Sequence, residues 1–431
     1  MSEDKYNVII VGAGPAGSTA AYLLAKGGLE VLLIDRGTTP GCKNMFGGRM
    51  YSHALHRVIP NFWEDAPVER AVVREVITVL TADRSVSFSC QDENWVKAPY
   101  HSFTLLRADF DAWLAAKAEE AGAMVASGIR VDDLLIEEGR VVGVRAGEDE
   151  LRADVVIAAD GANSLLAQKA GLRPELHPSQ VATGVKQIIE LSSEAISDRF
   201  QLTENNGAAY LLVGACSRGM QGGGFLYTNK SSISLGLVVN AGDLQRNQYR
   251  INELLEDFKA HPFIAPLIKG GRVAEYSAHL VPEAGWKRRP QLWGEGILVV
   301  GDAAGLVLNL GYQVRGMDLA IASGQAAAET VSKAVANNDF STQGLSIYLD
   351  KLTECSVFKD MESYNLAPQF LENPLLYEQY PELINSLAAK LFTVKGDPAV
   401  PLFKKMMSQI KENKLSLFQL ARDAWKGGRS L

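Results

Sequence analysis

The sequence is poor in the residues that build metal and iron-sulfur centres. Its four cysteines, Cys42, Cys90, Cys216 and Cys355, are far apart and form no CxxC pair, so neither zinc nor a cysteine-held cluster is expected in this chain. The six histidines include no HExxH motif, and the three-residue spacing of His53 and His56 suits one face of a surface helix. No metal is expected. Long hydrophobic runs are missing too: Val155-Val156-Ile157 and Val299-Val300 sit in short apolar segments, below the roughly 18 residues of a membrane span. Any membrane contact is therefore peripheral. Excess positive charge is absent, and a net charge of -7 argues against a nucleic-acid surface. The start, Met1-Ser2-Glu3-Asp4-Lys5, is acidic where a secretion signal would be basic, which leads us to expect a cytoplasmic protein with reduced thiols.

What remains is an ordinary globular composition, 431 residues with 47% hydrophobic and 22% charged, enough for two or three domains. Tyr6 to Val11 reads as a buried strand running into Gly12-Ala13-Gly14-Pro15-Ala16-Gly17, and Ser18 to Lys26 reads as a helix. In this setting Gly12 permits the tight turn, Gly14 lets a pyrophosphate approach the backbone, and Gly17 lets helix and strand pack closely. The helix N-terminus supplies N–H groups to the anion. A second strand, Glu30 to Ile34, ends in Asp35, eighteen residues after Gly17, where a carboxylate can accept from adenosine ribose hydroxyls. Asp35 disfavours a 2'-phosphate, so FAD or NAD is expected over NADP; Arg36 either stacks on the adenine, pairs with such a phosphate, or is a solvated turn charge.

Two further strand-like runs end in glycine-acid turns. Asp154 to Ala159 leads to Asp160-Gly161, and Gly296 to Val300 leads to Gly301-Asp302-Ala303-Ala304-Gly305. Each acid suits a sugar-like hydroxyl or, taken singly, a helix cap. In this order and spacing the three turns resemble the FAD-dependent fold shared by aromatic hydroxylases, geranylgeranyl reductases and electron-transfer-flavoprotein dehydrogenases, over essentially the whole chain. The segments Gly41 to Arg49, Gly223 to Lys230, Tyr276 to His279 and Asn309 to Asp318 resemble the FixC-type subgroup, related to electron-transfer flavoprotein-quinone oxidoreductase.

The resemblance implies an α/β dinucleotide-binding (Rossmann-like) FAD domain, an inserted antiparallel-sheet α+β domain and a helical C-terminal region. We expect residues 1–179 and 280–345 in the first, 180–279 in the second and 346–431 in the third. Asp302 is expected to bind the ribityl chain of FAD, Arg107 to lie near the cofactor, and Gly311, Gly316 and Met317 to border the isoalloxazine ring. Gly316 to Ala336 has the periodicity of a helix whose dipole would stabilise negative charge on the reduced ring. Cys42, Lys43 and Gly48 belong either to a loop over the flavin edge or to a surface turn. His279 is a candidate only, and no catalytic residue is assigned.

The implied activity takes electrons from an electron-transfer flavoprotein and passes them through FAD to a small ferredoxin-like iron-sulfur protein, to quinone, or to both. The larger quinone oxidoreductases carry clustered cysteines near the C-terminus; this chain has none after Cys355, so a cluster would come from a partner. The basic residues of the end, Lys404 to Arg429, meet an anionic membrane at its inner face, an acidic partner, or only water. The rival readings are an NAD(P)H-dependent reductase of isoprenoid double bonds or a hydroxylase, and a non-catalytic flavin-binding subunit.

Overall fold

Val8, Ile9 and Ile10 are wholly buried, and this β-branched run forms the centre of the first strand, β1 (Lys5–Val11). The computed structural model describes residues 5–43, 48–203, 205–283, 285–396 and 398–431. From β1 the chain passes through α1 (Pro15–Lys26), β2 (Val31–Asp35), β3 (Arg49–Tyr51), α2 (His53–Val58), β4 (Val68–Leu80), β5 (Ser85–Gln91), β6 (Ser102–Leu105), α3 (Arg107–Glu120), β7 (Met124–Ser127), β8 (Asp133–Glu137), β9 (Arg140–Ala146), β10 (Asp149–Ala158) and α4 (Leu165–Lys169). The middle comprises β11 (Val181–Glu190), α5 (Ser193–Phe200), β12 (Asn206–Gly214), β13 (Gly222–Thr228), β14 (Ser232–Asn240), α6 (Ala241–Asn247), α7 (Ile251–Ala260), α8 (Ala265–Ile268) and β15 (Arg272–Pro282). Then come β16 (Trp293–Gly294), β17 (Ile297–Val299), β18 (Leu308–Asn309), β19 (Val314–Arg315) and the long helix α9 (Met317–Asn337). Helices α10 (Thr342–Leu345), α11 (Tyr348–Glu354), α12 (Val357–Ser363), α13 (Ala367–Leu371), α14 (Gln379–Phe392), α15 (Leu402–Glu412) and α16 (Leu417–Ser430) complete the chain.

The first sheet runs β16-β17-β10-β1-β2-β7, with β17, β10, β1, β2 and β7 parallel. Its register decides where a ligand can sit. Val11 pairs with both Ala158 and Ile34, and Ala158 pairs with Val299, so the turns after four adjacent strands emerge side by side at the carboxyl edge. Helices α1 and α9 pack so closely that a Cβ on Gly324 would lie 2.3 Å from the Ala16 carbonyl oxygen.

The second sheet has nine strands, with the path β15-β11-β14-β13-β12-β4-β6-β3 and β5 beside β4. Four of them, β3 to β6, come from residues 49–105, which the sequence reading kept within the dinucleotide domain. The pairing is antiparallel except for β12 on β4, which is parallel; a long-range parallel pair leaves no hairpin signal in the sequence. One face of this sheet buries Leu226, Leu235 and Leu237 with Leu254, Leu255 and Phe258 of α7. Its other face meets the dinucleotide side, where Gly48 approaches the Tyr227 ring.

Candidate functional site

The three glycines of the first turn do different work. Gly12 has φ +107°, and a Cβ there would lie 2.2 Å from the Ala159 carbonyl oxygen. A Cβ on Gly17 would lie 1.9 Å from the Gly12 oxygen, so both positions are closed to any side chain. Gly14 is different: its nearest neighbour would be Arg107 Nη2 at 3.9 Å. That space lies before the first turn of α1, which opens with Pro15 and Ala16 and carries no acidic residue. Helix-terminal N–H groups lack intrahelical partners and favour an anion.

Asp35 fixes this turn from the next strand. Its carboxylate accepts the Ala13 N–H at 2.8 Å and the Gly37 N–H at 2.7 Å, leaving lone pairs for a ligand hydroxyl. Arg36 is exposed. Beyond it, Gly41 (φ +84°) lies against α3, where a Cβ would come within 2.7 Å of the Arg107 oxygen. Cys42 is half-buried, its thiol held below the ordinary value by hydrogen bonding at Thr39; Lys43 is exposed. Residues 44–47 of the expected flavin loop lie outside the described residues. Gly48 resumes it, its carbonyl accepting the Leu105 N–H at 3.0 Å.

Arg107 and Asp302 form the electrostatic centre of the cleft. Arg107 starts α3 and binds Asp111 through Nε at 2.9 Å and Nη2 at 2.7 Å, a pair one helical turn apart. Burial raises the Asp302 carboxyl above the usual range, opposed by the Arg107 charge. Among the described residues no side-chain hydrogen bond reaches the Asp302 carboxylate. Gly301 (φ +60°) packs beside Ala16, where a Cβ would meet the alanine Cβ at 3.0 Å, and its N–H binds Ser323 Oγ of α9 at 2.9 Å. The third acid, Asp160, caps α4: Oδ2 accepts the Leu166 N–H at 3.0 Å, and Oδ1 is buried without a partner. Gly161 follows with φ +76° and open space around a Cβ.

Past Asp302 the chain makes the β18–β19 hairpin, with Gly311 at φ +77° in its turn. Gly316 caps α9, and Met317 and Asp318 are buried in its first turn. Arg315 binds Asp318 at 2.7 Å and Asp360 of α12 at 2.6 Å. Groups not expected from the sequence face this end. Arg49 pairs with Glu75 and stacks on the Tyr51 ring at 4.4 Å, and burial holds the Tyr51 phenol above its ordinary value. The spacings of Arg107–Asp111 and Arg315–Asp318, four and three residues apart, are local signals that could have pointed to those pairs; Arg49–Glu75 depends on sheet order and has no local signal. His279 faces the same cleft: its Nε2 is buried and unpartnered, and burial with the Arg107 and Arg36 charges holds it down at about 4. No helix among the described residues is long and apolar enough to cross a membrane.

An FAD molecule fits these features: open backbone at Gly14, cationic Arg107, an Asp302 carboxylate awaiting donors, and a helix N-terminus at Gly316. Comparison with known proteins agrees. Residues 5–220 match the FAD binding domain family and residues 367–431 the ETF-QO/FixC family C-terminal domain. The chain is 49% identical over 431 residues, all of both chains, to the probable electron transfer flavoprotein-quinone oxidoreductase YdiS of Escherichia coli (strain K12). It is 49% identical to Protein FixC of Salmonella typhi over 99% of each chain, and 41% identical to that of Azotobacter vinelandii, again over 99% of each. In fold it resembles a geranylgeranyl bacteriochlorophyll reductase-like protein from Thermoplasma acidophilum, with TM-score 0.71 and 24% identity over 95% of this chain and 96% of the other. The myxobacterial chondrochloren halogenase CndH gives TM-score 0.64 and 18% identity over 99% and 91%. The chain belongs to the FixC and electron transfer flavoprotein-quinone oxidoreductase family, and is an FAD-binding oxidoreductase of electron transport.

Proposed function

We propose that this protein takes electrons from a reduced electron-transfer flavoprotein, holds them on FAD and passes them to quinone at a membrane surface. A small ferredoxin-like protein would supply any iron-sulfur centre, since this chain has no cysteine cluster. The redox chemistry is the cofactor's. The chain's part is to hold the pyrophosphate on α1 beside Arg107, to accept ribityl hydroxyls on Asp302, and to set the potential at the N-terminus of α9. Such a dipole is worth about 0.3 to 2 kcal/mol, enough to tune a flavin.

The observation that carries the choice of acceptor is the set of exposed aromatic residues on and around the C-terminal helices α14 to α16. Phe392, Phe403, Phe418 and Trp425 are 87, 71, 78 and 69% exposed, interleaved with Lys404, Lys405, Lys411 and Lys426 on a protein of net charge -7. Aromatic residues set among cations suit an anionic bilayer surface. Leu431, just after α16, reaches the β18–β19 hairpin, where the Tyr312 hydroxyl donates to a Leu431 oxygen at 2.8 Å. Anionic vesicles containing a long-chain quinone, given reduced electron-transfer flavoprotein and this protein, test the proposal. Quinone reduction is expected, with vesicle binding that weakens as salt screens the lysines. Failure of that reduction with or without a ferredoxin-like protein, alongside rapid NADH or NADPH oxidation, would replace this reading with the reductase or hydroxylase one.

A further inference from the structure

The first turn of α9 holds more charge than helix capping requires. Asp318 is 1% exposed and is bound by Arg315, which is itself shared with Asp360. On its other side His53, the first residue of α2, brings Nε2 to 3.7 Å from Asp318 Oδ2 while its own side chain stays 49% exposed. The groups whose charge reaches this imidazole are Asp318 of α9, Arg315 of β19, Arg57 of α2 and Asp360 of α12, and the charged forms of this ring and of the His101 ring before β6 repel each other. Burial is the largest influence and holds the imidazole below its ordinary value, with Arg315 and Arg57 acting the same way and the two carboxylates against them. At neutral pH the ring is therefore neutral, open to water on one side and facing a buried carboxylate on the other.

We propose that His53 is the redox-linked proton acceptor of this flavin site, taking up a proton from water when the cofactor receives two electrons. This rests on the reading that α9 points its N-terminus at the isoalloxazine ring. Two electrons and one proton on the cofactor leave one added negative charge at that end. His53 is placed to offset it, since water can deliver a proton to the ring and Asp318 then pairs with the imidazolium. The balance is two electrons from the donor and two protons from water, one on the cofactor and one on His53. His53 is a positioning residue for charge and need not touch the ring.

The test is the pH dependence of the flavin midpoint potential, measured on the FAD-loaded protein by electrochemical titration with His53→Gln for comparison. One proton per two electrons gives about 30 mV per pH unit, and two protons about 59 mV. The wild type should show the steeper slope between the pH at which His53 titrates in the oxidised protein and the higher pH at which it titrates in the reduced one, and the shallower slope above, while His53→Gln should hold the shallow slope throughout. Within that range a weakly buffered solution should likewise lose two protons per flavin reduced in the wild type and one in the variant. Should the variant bind no flavin, the wild-type His53 ring signals by NMR must titrate at higher pH in the reduced protein than in the oxidised one. Equal slopes, equal proton uptake or an unmoved His53 titration would overturn the proposal. Asp318→Asn separates the two ways to fail: if it leaves the midpoint unchanged, α9 does not face the ring. If it shifts the midpoint while His53→Gln leaves the slope unchanged, only the histidine assignment is wrong. An electrode replaces the donor protein, so the slope is readable even if the proposed donor is wrong.

Discussion

Exchanging Asp302 for Asn should separate cofactor binding from folding. The carboxylate accepts no hydrogen bond from a described side chain, and the nearby Arg107 is already held at two points by Asp111, so the substitution strands no partner. Burial raises the folded-state pKa of Asp302, and a carboxyl raised above its unfolded value lowers stability once it ionises. The apoprotein of the Asn variant should thus melt at or above the wild-type temperature at pH 7, and the difference should vanish as pH falls through the carboxylate range. FAD should suffer instead. Hydrogen bonds to a charged acceptor are worth about 1.5 to 3 kcal/mol, so affinity should fall roughly 10- to 150-fold. Quenching of flavin fluorescence on titrating apoprotein with FAD gives the affinity, and thermal melting of the same samples gives the stability. Unchanged affinity, or an apoprotein markedly less stable than wild type, would refute the assignment of Asp302 as a ligand-facing acid.

Gly14→Ala and Gly17→Ala should fail in opposite ways: the first keeps its melting temperature but binds FAD weakly, because its Cβ fills space meant for phosphate. The second, with a Cβ 1.9 Å from the Gly12 oxygen, should lose more than the roughly 1 to 3 kcal/mol typical of overpacking, read as low soluble yield and a lower melting temperature. Arg70 is wholly buried and donates to the carbonyls of Asn229 at 2.8 Å and Asn206 at 3.1 Å and to Ser193 Oγ at 2.9 Å. Arg70→Met should therefore cost on the order of 3 kcal/mol in denaturant unfolding by orphaning the buried Asn229 carbonyl and removing the other bonds; a loss under about 0.5 kcal/mol would contradict that. Lys186 is held down at about 8 by burial, so above that pH the unfolded chain binds more protons than the folded one. Stability should gain from this group between about pH 8 and 10.5, and Lys186→Met should remove that rise; a parallel pH profile in the variant would refute it.

The parts of the site legible in the sequence were those written in local spacing. The Gly12 turn, Asp35 at the end of β2 and the Gly301-Asp302 turn all lie at strand ends, and the expected helix from Gly316 to Ala336 is α9, Met317–Asn337. For Asp160 the two readings differed by one contact, and the capping bond to Leu166 is present. What stayed hidden depends on long-range pairing. Nothing local marks residues 68–80 as neighbours of 206–214, yet that parallel pairing joins β4 to β12. With it comes the Arg70 clamp, and the β4-β6-β3 order brings Arg49 to Glu75; both are made by side chains whose partners are distant in sequence.

In the proposed function, electrons enter this FAD from a flavoprotein and not from a nicotinamide. An anaerobic visible spectrum of the purified protein, recorded before and after each addition, tests it most directly. The flavin band should ignore NADH and NADPH and bleach with reduced electron-transfer flavoprotein. Rapid bleaching by either nicotinamide, with none from the flavoprotein, would contradict the account.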